Sequence, residues 1–215
     1  MKVTLSFDNG PSPATGTVLD VLAEHGIRTT FFVVGTELTR PGARELAERA
    51  ATEGHWIGNH TLTHSIQFGD SDDPDLPARE IGQAQDAIGR LAHPDKLFRP
   101  YGGGGVLDQH LFGPAAINYL QLHAYTCVLW NCVPHDWDQP DDWVQRCLTD
   151  IASQQWSLVV LHDLPTGAMR HLPRFLDRLD ALDADIIQEF PESCVPIRRG
   201  HPYSSVDHLT RPPRG

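Results

Sequence analysis

Short apolar runs alternate with longer amphipathic ones along the whole chain. Residues 1–7 form a strand-sized apolar run. Ser12-Pro13 then supplies an N-cap and a first-turn proline for a helix reaching Glu24, with Gly26 as its stop. "RTTFFVVG" (28–35) is continuously apolar and rich in β-branched and aromatic residues, the pattern of a buried strand. Pro41 opens a second helix through Thr52, stopped by Gly54, and "HWIGNH" (55–60) predicts a third strand. The acidic stretch "SIQFGDSDDPDLP" (65–77), broken by Pro and Gly, predicts a surface loop, with an amphipathic helix after it over 78–92.

Further strands are predicted at "KLFRP" (96–100), "YTCVLWN" (125–131) and "SLVVLHD" (157–163), with 194–197 as a last one. Helices near 114–122, 141–153 and 167–182 alternate with them. Repeated strand–helix units favour a parallel sheet with right-handed crossovers. Six or seven such units in 215 residues point to an α/β fold with a closed or nearly closed barrel, one domain over 1–203. Residues 204–215 are polar, contain Pro-Pro, and are expected to form a flexible tail.

Charge narrows the partners. The formal net charge is -11 and no Lys/Arg run stands out, which argues against nucleic acid or an anionic membrane as the main partner. The apolar runs are strand-sized, and the first residues lack the pattern of a secretion signal, so the expectation is a cytoplasmic protein without a membrane span. The cysteines, Cys127, Cys132, Cys147 and Cys194, have no CxxC spacing and are expected as reduced core thiols.

In a barrel, functional groups lie where strands end and loops begin. Asp8 ends the first predicted strand, His60 and His64 follow the third, and Arg99 ends the next. Asp136 follows "CVLWN" and His162 closes "SLVVLH". The spacing of "HTLTH" (60–64) places two imidazoles on one face of a helical turn, where they could chelate a divalent metal. With 12 histidines in 215 positions such a pair is weak evidence alone.

What surrounds it is more specific. "SFDNGP", "TTFFVVG", "GHWIGNHTLTH", "FRPYGG", "HDWD" and "LVVLHD" occur in the order found in polysaccharide deacetylases. The chain thus resembles the NodB-homology enzymes of carbohydrate esterase family 4 over about residues 3–165. The resemblance implies a distorted (β/α) barrel of seven units. It implies Asp8 as the base that activates water, His60 and His64 as ligands of a divalent metal such as zinc, and His162 as general acid. It further implies that Asp136 holds His162, that Arg99 orients Asp8, and that Trp137 and Val160 wall the acyl pocket. The activity implied is hydrolysis of a non-peptide C–N bond, removing acetyl from an N-acetylated sugar or a related small amide.

Two positions depart from the family pattern. Asn9 stands where the family has a second aspartate, its third metal ligand, so no ligand at those positions is anionic. That leaves weak metal binding, recruitment of Asp8 as a ligand, or metal-free chemistry of the kind found in allantoinase-like relatives that open cyclic ureides. In "RPYGGGG" (99–105) the aromatic Tyr101 comes one place early, or Gly102 replaces it. A backbone N–H of this loop is the family's oxyanion donor, and Tyr101 and Gly102 are the substrate contacts expected there. A catalytically silent carbohydrate-binding protein is the alternative outside enzymology.

Overall fold

A computed structural model describes residues 1–212 of the chain. Six strands carry the parallel sheet: β1 (Lys2–Asp8), β2 (Thr30–Val33), β3 (Trp56–Asn59), β4 (Leu97–Phe98), β5 (Thr126–Cys127) and β6 (Trp156–His162). Helices α1 (Thr15–Glu24), α2 (Ala43–Thr52), α3 (Gln83–Ile88), α4 (Pro114–Leu122), α5 (Trp143–Ala152) and α6 (Leu172–Ala181) run on the outside. Short strands β7 (Asp185–Ile186), β8 (Ile197–Arg198) and β9 (His201–Pro202) complete the sheet. The order is β6-β1-β2-β3-β4-β5-β8-β9, with β7 pairing β1, and β8 joins β5 antiparallel.

The sheet curls until its two sides nearly meet. Cys132, five residues past β5, bridges Val159 of β6 in parallel, through Cys132 N–H to Leu158 O at 3.2 Å and Val160 N–H to Cys132 O at 2.9 Å. One bridge is therefore the seam of a distorted barrel, in agreement with the expected (β/α) architecture.

The period of two along β1 sorts its residues between two environments. Val3, Leu5 and Phe7 pack outward with residues of α1, α5 and α6 in the main apolar core. Thr4, Ser6 and Asp8 point the other way, into the barrel, and all three are buried. On β6, Val159 and Leu161 join the same outer core, whereas Leu158, Val160 and His162 alternate inward. The inner layer is narrow. A side chain on Gly58 of β3 would collide with the Phe32 ring, since its Cβ would stand 2.5 Å from that ring.

Several elements are shorter than the apolar pattern predicts. The 125–131 run is β-paired only at Thr126–Cys127, because the Arg99 guanidinium takes the carbonyls of Val128 and Leu129. The 78–92 helix is a wide π turn over Ala78–Gly82, then α3, then a 3-10 turn. Asn59 Nδ2 donates to Ile81 O at 2.9 Å in that wide turn, which moors it to the end of β3. The expected flexible tail is docked as far as it is described. Leu209 is buried, its carbonyl accepts Phe112 N–H, and Arg211 N–H returns to Phe112 O. Residues 213–215 lie outside the described residues. All four cysteines are buried free thiols. No described helix is long and apolar enough to cross a membrane.

Candidate active site

A cavity of about 250 Å³ opens at the C-terminal ends of the parallel strands. Asp8, Asn9, His60, His64, Tyr101, Gly102, Trp137, Val160 and His162 all line it, so the cavity gathers residues that lie far apart in sequence. Arg99 and Asp136 stand directly behind it, both fully buried.

Asp8 and His162 are register partners on adjacent parallel strands. Each is held by a counter-charge from a third element. Arg99 Nη1 donates to Asp8 Oδ1 at 2.8 Å and to Ser6 Oγ at 2.7 Å. Its Nε and Nη2 donate to Val128 O and Leu129 O, both at 3.2 Å, and the guanidinium lies 4.0 Å over the Phe32 ring. Arg99 thus fills the barrel beneath Asp8 and leaves Oδ2 toward the cavity. The other pair is bidentate: Asp136 Oδ1 accepts His162 Nδ1–H and Asp136 Oδ2 accepts the His162 backbone N–H, each at 2.9 Å. With Nδ1 committed, Nε2 is the nitrogen free for chemistry. Burial alone would lower the His162 pKa, but the Asp136 hydrogen bond and the charges of Asp136, Asp8 and Asp163 outweigh it and the net shift is upward.

That shift has a readable consequence. A general acid works while protonated, so rates should fall as pH rises through the His162 pKa, and a raised pKa extends activity upward. Replacing Asp136 with Asn should move the alkaline limb of kcat/KM to lower pH, checked by rate profiles between about pH 5 and 9. An unmoved limb would separate that limb from His162.

His60 Nδ1 faces the Arg99 carbonyl at 2.9 Å; a carbonyl only accepts, so Nδ1 carries the proton and Nε2 presents a lone pair. Burial, with Arg99 nearby, pushes the His60 pKa down to about 3, which makes the ring neutral. Burial, with His60 beside it, does the same to His64, also to about 3. His60 Nε2 then stands 3.6 Å from Asp8 Oδ2, two acceptors facing each other with no donor between. Asn9 Oδ1 adds a third acceptor, buried and without a hydrogen-bond partner among the described residues. A divalent cation fits this arrangement: two neutral imidazoles, an orphaned amide oxygen and a carboxylate edge. Among the described residues no group of three or more His, Cys, Asp and Glu is placed to hold a metal, so an amide ligand would be needed.

The histidine segment itself is not helical. Thr61 and His64 have positive φ (68° and 53°), and side chains replace the helical bonds. Asn59 Oδ1 accepts Thr61 N–H, Thr61 Oγ1 accepts His64 N–H, and Glu80 accepts both Thr63 N–H and Thr63 Oγ1. The two rings still meet, with centroids 4.7 Å apart. Tyr101 covers the far side of His64 at 4.3 Å, and the Trp137 ring sits edge-on to His162 at 4.6 Å.

Trp130 and Leu164 also line the cavity, and the sequence reading missed both. Trp130 looked like one more apolar residue of a strand. In the fold its indole occupies the space a Cβ on Gly102 would need, 2.4 Å away, and its Nε1–H holds Gly105 O at 2.8 Å. The glycine run is therefore packed against a tryptophan. The available signal was that Gly102 and Trp130 are both close in sequence to the motifs on either side of the cavity.

Known proteins give the same answer. The sequence profile described as polysaccharide deacetylase matches residues 1–127. A chitooligosaccharide deacetylase from Bradyrhizobium sp. (strain ANU 289) is 35% identical over 179 residues, covering 79% of this chain and 74% of its own. A peptidoglycan-N-acetylglucosamine deacetylase from Bacillus cereus is 30% identical over 166 residues, covering 75% of this chain and 72% of its own. Among solved structures, a family 4 carbohydrate esterase from Streptomyces lividans in complex with acetate superposes with a TM-score of 0.73 at 24% identity, covering 90% of this chain and 95% of that one. From its profile match and its relatives, this chain belongs to the polysaccharide deacetylase family.

Proposed function

We propose that the protein hydrolyses the amide of an N-acetylated amino sugar, releasing acetate and a free amine. The observation that carries this reading is the side-by-side placement of Asp8 and His162 at one cavity, each fixed by a single buried counter-charge. Asp8 Oδ2 takes a proton from water as the water oxygen bonds to the acetyl carbonyl carbon. His162 Nε2 gives its proton to the sugar nitrogen as the C–N bond breaks. Trp137 and Val160 offer apolar wall to the methyl group, and the backbone of the Tyr101-Gly102 stretch, which lines the same cavity, would donate an N–H to the developing oxyanion. The relatives named for chitooligosaccharide and peptidoglycan N-acetylglucosamine deacetylation support the substrate class.

His60, His64 and Asn9 would hold a divalent cation, zinc in our reading. The chemistry such an ion supplies when bound is polarisation of the carbonyl and acidification of the attacking water. The neutral Asn9 favours a second reading, a cyclic amide or ureide hydrolase with little metal requirement. Elemental analysis of purified protein, with acetate release from N-acetylglucosamine oligomers before and after chelation, separates the two. The expected result is near-stoichiometric metal, loss of activity on chelation, and no turnover by His60→Ala. Undiminished hydrolysis without metal would shift the assignment to cyclic amides.

A further inference from the structure

Asp163 is a buried carboxylate that the reaction above leaves unused. It follows His162 at the end of β6 and is fully buried. Thr15 Oγ1 donates to its Oδ2, whereas Oδ1 has no hydrogen-bond partner among the described residues. Both of its oxygens press on Gly10: a Cβ there would stand 2.2 Å from Oδ2 and 2.5 Å from Oδ1. The turn from Asn9 to Ser12 closes around this carboxylate, with Ser12 Oγ donating to Asp163 O and Ser12 N–H to Thr15 Oγ1 at 2.8 Å. Burial pushes its pKa up to about 6, so it is still mainly ionised at neutral pH.

The charges around the cavity pair off unevenly. Asp8 is matched by Arg99 and Asp136 by His162, which leaves Asp163 without a salt-bridge partner among the described residues. A buried anion without a cationic partner is costly and calls for compensation nearby. On the cavity side of the same turn the three metal-ligand positions are two imidazoles and an amide, none of them a carboxylate, and Asn9 Oδ1 has no hydrogen-bond partner among the described residues. Asn9 is next to Gly10, against which the Asp163 carboxylate is wedged.

We propose that Asp163 is a positioning residue of the cation centre: from behind the Asn9-Gly10 turn it supplies the negative charge that the amide at position 9 lacks, and it holds that turn toward the cavity. The proposal rests on the reading that His60, His64 and Asn9 hold a divalent cation. It accounts for an orphaned buried acceptor on the turn, Asn9 Oδ1, for another packed behind it, Asp163 Oδ1, and for a glycine that no larger residue could replace.

Isothermal titration of the metal-free full chain with Zn²⁺ at neutral pH tests it without reference to turnover. Asp163→Asn keeps the shape and the acceptor for Thr15 while removing the charge, and should weaken Zn²⁺ binding on the order of tenfold or more. Thr15→Val keeps the charge and should stay within about threefold of wild type. Asn9→Asp should tighten binding, and in the Asp163→Asn background it should restore affinity, which a purely structural role for Asp163 would not allow. Circular dichroism establishes that each variant is folded; Asp163→Ser takes the place of Asp163→Asn should the latter not fold. A folded Asp163 variant with wild-type affinity overturns the proposal and leaves the metal centre standing. Wild-type protein that takes up no Zn²⁺ overturns both.

Discussion

Asp8→Asn should abolish turnover and lower the stability of the fold. A positioned general base contributes roughly 10²–10⁴-fold to rate, so kcat/KM should fall by about 10³-fold. The stability half follows from the buried pair with Arg99, whose guanidinium stands 2.8 Å from Asp8 Oδ1 and would lose its counter-charge. An amide NH₂ in place of Oδ2 gives His60 Nε2 a donor, and the remaining oxygen still accepts from Arg99, which offsets part of that cost. Thermal melts of chelated protein should therefore show a lower Tm, with a smaller loss than for removal of Arg99. Appreciable acetate release by this variant would remove Asp8 as the base; a variant unfolded at the assay temperature would mean that the mutation acts on the fold instead.

Arg99→Met should be the most destabilising single change in the site. The side chain is fully buried and makes four polar contacts, to Asp8, Ser6, Val128 O and Leu129 O. Methionine fills much of the volume but leaves the Asp8 carboxylate buried without its cation and two carbonyls without their donor. Removing one partner of a buried ion pair costs about 3–5 kcal/mol, a large share of the roughly 5–15 kcal/mol that holds a domain folded. Urea titration reads the loss directly. Arg99→Lys should recover only part of it, because an ammonium cannot reproduce the planar fork that spans Asp8 and both carbonyls. Unchanged urea midpoints for Arg99→Met would show that the guanidinium contributes little there.

The two variants divide the site into a chemical part and a supporting part, and that division bears on what the chain reveals before it is folded. The alternation of strands and helices was legible because each apolar run has the length and residue type of one element. Departures came where a side chain intercepts backbone groups. Arg99 takes two carbonyls that would have extended β5, and the Thr61, Thr63, Asn59 and Glu80 side chains turn "HTLTH" into a bend with two positive φ values. Hydrophobic periodicity does not register such competition: Arg99 is 29 and 30 residues from the carbonyls it takes, and Glu80 is 17 from Thr63. The tail is a similar case: Leu209 finds a place beside Phe112 that composition does not announce.

By itself the sequence determined the barrel class, the strand ends that carry Asp8, His60, Arg99 and His162, and the amide beside Asp8 at position 9. These follow from periodicity and motif order, which are properties of neighbouring residues. Only the tertiary structure decided how the lone pair of His60 is aimed, that Trp130 lines the cavity, and that Asp163 is buried against Gly10. Those depend on the register of β1 against β6 and on the inward face of each strand, which in this barrel is partly polar. On β1 the alternation of Val3, Leu5 and Phe7 with Thr4, Ser6 and Asp8 would suit a strand with one wet face. Here the polar face is enclosed by the barrel, and burial is what gives its charges their chemistry.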